Sequence, residues 1–68
     1  MDQKKIGSFL KELRKEKGLT QEQLAEAMNV TVGAVSKWES GATTPELSVL
    51  LELAALFEVS VDALLGYH

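Results

Sequence analysis

The sequence predicts an all-α fold, one small domain of five short helices over residues 1–68. Apolar residues recur at helical spacing, and no stretch alternates with the two-residue period of a strand. Capping residues stand ahead of the apolar runs: Thr20 with Gln23 three residues on, Thr31, Thr44 before Pro45, and Ser60. Every segment between these runs is short, as closely packed helices require.

The first helix is expected from about Lys4 to Lys17. Ile6, Phe9, Leu10 and Leu13 form one apolar stripe, and Lys4, Lys5, Lys11, Lys15 and Lys17 fall mainly elsewhere. Gly18 suits the left-handed residue that ends a helix, and Leu19 can fold back over that end. The second helix is expected from about Gln21 to Met28, with Leu24, Ala25 and Met28 inward. The Thr20 hydroxyl can accept from the N–H of Gln23, whose side chain can reach back. Asn29 tolerates the positive φ of a sharp turn, and Val30 plugs it.

The third helix is expected from about Val32 to Ser40, between Thr31 and Gly41. Val35 and Trp38 share its inward face. Val32, Gly33, Ser36 and Lys37 are left on the outer side. Thr44 is expected to cap a fourth helix, with Pro45 at its first position and Glu46 near the positive end of the dipole. That helix runs to about Phe57 and is apolar on more than one side. Ser60 caps a last helix, Val61 to Leu65, which Gly66 ends.

Composition narrows the function. A chain of 68 residues buries only about 60% of its unfolded surface, although 46% apolar residues suffice for one core. There is no cysteine, so no disulfide and no Cys-ligated metal. No apolar run approaches the length of a membrane span, and the start MDQKK lacks the apolar segment of a signal peptide. The expected compartment is the cytoplasm. The one histidine, His68, has no Cys, Gly-rich phosphate loop or ligand cluster to accompany it. Neither an enzyme nor a cofactor nor a metal is expected.

The formal net charge is −3, and it is unevenly spread. All seven basic residues (Lys4, Lys5, Lys11, Arg14, Lys15, Lys17 and Lys37) lie in the first 37 positions. Residues 45–68 carry Glu46, Glu52, Glu58 and Asp62 and no Lys or Arg. The lysines fit either a solvated helix face or a surface for a polyanion.

The pattern Leu13-Arg14, Gly18-Leu19-Thr20-Gln21, Leu24-Ala25, Val30-Thr31, Val35-Ser36-Lys37-Trp38-Glu39, Gly41, Pro45, Leu50, Ala54, Phe57, Val61-Asp62 and Leu64-Leu65 resembles the Cro/repressor-type helix-turn-helix family, also called the xenobiotic-response-element type. The resemblance runs from about Ile6 to Gly66, with the motif itself at about 20–41. It implies a lambda-repressor-like five-helix domain that binds operator DNA as a dimer, with the third helix in the major groove. A protein of this kind would act as a transcriptional regulator, most simply a repressor, on the nucleoid when bound.

Carried over residue by residue, the resemblance makes Gln21 a phosphate contact at the start of the second helix. A solvent-facing helix starter is the alternative. Ser36 and Lys37 project from the third helix, where lysine can donate to guanine or to phosphate. Thr31 combines an N-cap with a possible phosphate contact. Ser40 joins the same surface, and Thr43 and Thr44 with their loop N–H groups form a second phosphate clamp. Trp38 belongs to the core. Arg14 and Glu39 match a buried ion pair that ties the first helix to the end of the third.

The family pattern is broken at Val32 and Gly33, where long polar side chains are usual. Valine offers only apolar contact, for example to a thymine methyl, and glycine only a close backbone approach. The candidate dimer surface comprises Leu47, Leu51, Val61, Leu64, Leu65 and Tyr67; the same residues could instead close the core. A different class of function stays open: an interaction module, antitoxin-like or an anti-regulator, that binds another regulatory protein and little DNA.

Overall fold

The computed structural model describes residues 2–65. Among the described residues it has five helices and no strand: α1 (Gln3–Glu16), α2 (Gln21–Met28), α3 (Val32–Ser40), α4 (Leu47–Phe57) and α5 (Val61–Leu65). None is long and apolar enough to cross a membrane.

Local chemistry explains most boundaries. Asp2 accepts from the N–H groups of Lys4 (2.9 Å) and Lys5 (3.3 Å), so α1 begins at Gln3, one residue before the expected start. Gly18 takes a positive φ of 76°, and the N–H of Leu19 donates to the Arg14 carbonyl, closing the end of α1. At α2 the capping box is complete. The Gln23 N–H donates to Thr20 Oγ1 at 3.0 Å, and the Thr20 N–H donates to Gln23 Oε1 at 2.8 Å. Asn29 (φ 58°) and Gly41 (φ 84°) end α2 and α3 in the left-handed region. Ser60 Oγ accepts from Ala63 N at 3.0 Å and starts α5.

The start of α4 corrects the expectation. The helix begins at Leu47, and its N-cap is Glu46, which makes no side-chain cap bond. Thr44 does not cap it, and Pro45 is not its first residue. Pro45 is buried and Glu46 keeps an extended backbone (φ −64°, ψ 160°), so the first helical residue is Leu47. At the far end, Glu58 takes φ 57°, a left-handed terminus with no glycine to mark it.

The core gathers Ile6 and Leu10 of α1, Leu24 and Met28 of α2, Val35 and Trp38 of α3, Leu50, Leu53 and Phe57 of α4, and Leu64 of α5. Leu64 is 1% exposed. It is therefore a core residue and not part of a dimer surface. Val61 also packs partly against the core. Leu47 (65% exposed) and Leu51 (53%) do stay outside. The Leu65 side chain and Tyr67, both placed on that surface from sequence, lie outside the described residues, as does Gly66.

Two glycines set the approach of α1 to α3. Gly7 is buried, and a Cβ there would collide with the carbonyl oxygens of Trp38 and Glu39. At Gly41 a Cβ would sit 2.8 Å from Lys4 Cγ and 3.0 Å from Lys4 Cα. The start of α1 thus rests on the end of α3.

Candidate nucleic-acid interface

The base of the helix-turn-helix is a buried polar network. Arg14 Nε donates to Glu39 Oε2 at 2.6 Å and Nη2 donates to Oε1 at 3.1 Å. Arg14 Nη1 donates to the Leu19 carbonyl at 2.7 Å. The two side chains are only 10% and 4% exposed. The expected ion pair is present, in the bidentate form that fixes angle as well as distance. It joins α1 to the end of α3 and holds the segment leading into α2.

Gln21 extends this network. Its Nε2 donates to Glu39 Oε1 at 3.1 Å. Glu39 presents only acceptors, so the amide must turn its nitrogen inward. The half-buried Gln21 is thus more than a solvent-facing starter, and one amide hydrogen is already engaged. Its second amide hydrogen and the first N–H groups of α2 remain for an outside acceptor. The bond to Glu39 is not legible from spacing, since 18 residues separate Gln21 from Glu39.

Thr31, Val32, Gly33, Ser36, Lys37 and Ser40 are all exposed on α3 or its cap. Rows four residues apart, Val32–Ser36–Ser40 and Gly33–Lys37, place them on one face. The opposite face holds the buried Val35, Trp38 and Glu39. Thr31 Oγ1 accepts from Ala34 N at 3.1 Å, a cap that leaves its own hydroxyl hydrogen free to donate. Ser40 Oγ donates to the Lys37 carbonyl (3.1 Å) and accepts from Ala42 N (3.3 Å). Its hydroxyl braces the end of α3, which makes it a weaker candidate contact than Ser36.

The Thr43–Thr44 loop departs from its expected role in detail. The N–H groups of Ala42 and Thr43 already donate to the Lys37 carbonyl, at 3.0 and 3.3 Å. Thr44 Oγ1 is enclosed without a hydrogen-bond partner, so this hydroxyl faces no solvent. The Thr43 side chain is exposed and available. Lys4 lies against the start of this loop: Asp2, Gln3, Lys4, Gly41 and Thr44 line one shallow depression. In the sequence nothing sets Lys4 apart from the other lysines of the first helix. The close packing at Gly41 is what brings it beside the loop.

A helix with one buried and one exposed polar face, set at a fixed angle behind a capped partner, is the arrangement of a DNA-reading helix-turn-helix module. Residues 10–64 match the family described as Helix-turn-helix, and the chain belongs to that family, in its Cro/repressor (xenobiotic-response-element) branch. It is 48% identical over 57 residues to the HTH-type transcriptional activator BcrR of Enterococcus faecalis, covering 84% of this chain and 28% of that protein. The HTH-type transcriptional regulator ImmR of Bacillus subtilis (strain 168) is 39% identical over 61 residues, 90% of this chain and 48% of ImmR. The immunity repressor protein of Bacillus phage phi105 is 36% identical over 61 residues, 90% of this chain and 42% of the repressor. The chain therefore spans less than half the length of each of these relatives.

Proposed function

We propose that this domain binds double-stranded operator DNA and regulates transcription, with α3 in the major groove. The observation behind this reading is the division of α3. Its inner face is locked to α1 and α2 through Trp38, Val35 and the Arg14–Glu39–Gln21 network. Its outer face presents Val32, Gly33, Ser36 and Lys37 to solvent. Phosphate contacts are assigned to Gln21, Thr31 and Thr43, and to Lys4, which packs against Gly41 at the end of α3.

Base-reading side chains are few, so a second copy is part of the proposal. Leu47 and Leu51 stand one turn apart on α4 and are well exposed. Their burial against a two-fold mate would double the DNA contacts and demand a palindromic site with half-sites about 34 Å apart. Repression is the mode that such a dimer achieves by occupancy alone.

The same exposed leucines, with the net charge of −3, favour one other reading: a module that docks on another regulatory protein. Selection of bound duplexes from a random DNA pool separates the two. Enrichment of an inverted repeat supports the operator reading. Failure to enrich any sequence at low salt, together with complex formation by a protein partner, contradicts it.

A further inference from the structure

Gly33 lies inside α3, where glycine is a poor helix former. The fold does not ask for it. Positive φ among the described glycines occurs at Gly18 and Gly41, not at Gly33. A Cβ built on Gly33 would meet only Thr31 Oγ1, at 3.9 Å. Gly7 is the contrast, since a Cβ there would strike two backbone carbonyls. Alanine at position 33 would fit and would strengthen the helix.

Beside this bare stretch stands Val32, 44% exposed. The other large exposed apolar residues described are Leu47 and Leu51, both on α4. Val32 is thus the one large apolar side chain exposed on the outer face of α3 among the described residues. Ser36 lies one turn on from both Val32 and Gly33, and Lys37 one turn on from Gly33. The surface is an apolar wall beside a notch, flanked by a hydroxyl and a cation. On the base edges of the major groove, the apolar group is the 5-methyl of thymine.

We propose that Val32 and the notch at Gly33 receive a thymine 5-methyl group, and that Gly33 determines specificity by letting α3 approach the base edge. This rests on the reading that α3 enters the major groove. A side chain at position 33 would hold the helix off the bases. The proposal therefore couples two effects of opposite sign: Gly33→Ala makes the free protein more stable and the complex weaker.

The test uses the operator obtained by selection, with each thymine replaced in turn by deoxyuracil, which lacks only the methyl. One position per half-site is expected to weaken binding roughly three- to tenfold, about what the loss of one buried methyl gives. Val32→Ala is expected to bind the thymine and uracil forms equally at that position. Gly33→Ala is expected to raise Tm and weaken operator binding at least roughly fivefold, a loss comparable to that of one good base contact. Operator binding by the unaltered protein with no uracil-sensitive position, or a Gly33→Ala variant that binds undiminished, overturns the proposal alone. If the unaltered protein binds no DNA, the operator reading falls and this proposal falls with it.

Discussion

Replacing Glu39 with alanine leaves the Arg14 guanidinium enclosed with one remaining acceptor, the Leu19 carbonyl. Two charge-assisted hydrogen bonds disappear, at 2.6 and 3.1 Å, and Gln21 loses its acceptor. The Arg14 side chain is only 10% exposed, so water cannot readily take their place. Stranding one member of a buried pair costs about 3–5 kcal/mol. At about 0.05–0.15 kcal/mol per residue, a chain of 68 residues has roughly 3–10 kcal/mol in all. Glu39→Ala should therefore remove a third of the stability or more, and lower Tm by roughly 12–40 °C at about 4–8 °C per kcal/mol. Trp38 is buried next to Glu39 in the chain, so its fluorescence during urea unfolding is the assay. The control is the double substitution Arg14→Met with Glu39→Met, which strands no charge and should recover most of the loss. A Glu39→Ala midpoint within experimental error of the unaltered protein would mean that the buried pair does not hold the fold together.

Gly7→Ala should destabilise the domain by about 3 kcal/mol or more in the same unfolding assay, because its methyl meets backbone carbonyls rather than movable side chains. Thr20→Ala should cost about 1 kcal/mol, since the cap bond from Gln23 N is lost; equal midpoints would contradict the role given to the capping box. Leu47→Glu with Leu51→Glu should leave the helical circular-dichroism spectrum intact and convert a dimer to a monomer by sedimentation. A dimer that persists would place the interface elsewhere.

The framework of the helix-turn-helix was legible because its signals are local. Thr20 with Gln23, Asn29, Thr31 and Gly41 each act within four residues, and the structure finds every one in its expected part. Val35 and Trp38 were legible from helical spacing. What stayed hidden depends on partners distant in the chain. The need for glycine at position 7 comes from carbonyls over thirty residues away, and Gln21 meets Glu39 across 18 residues. The local signal of Thr44 and Pro45 placed the start of α4 too early, because Glu46 keeps an extended backbone and the helix begins at Leu47. Leu64 stays open between core and dimer surface in the sequence, because an apolar residue on a short helix has the same pattern whether it faces the core or a mate. On α3, helical spacing put Val32, Gly33, Ser36 and Lys37 on one outer face, and all four are exposed. It could not show that the Thr44 hydroxyl is enclosed, or that Lys4 lies beside the loop.

The outer face of α3 is the surface proposed to hold DNA, with Lys4 and Lys37 as its cations. Operator affinity measured by fluorescence anisotropy across a salt series tests it most directly. Lys4 and Lys37 from each of two copies would neutralise about four phosphates. At a slope of about −0.9 per phosphate, affinity should fall roughly a hundredfold between about 50 and 200 mM salt. Lys37→Ala should flatten that slope. Affinity independent of salt, or no binding at about 50 mM, would contradict the account.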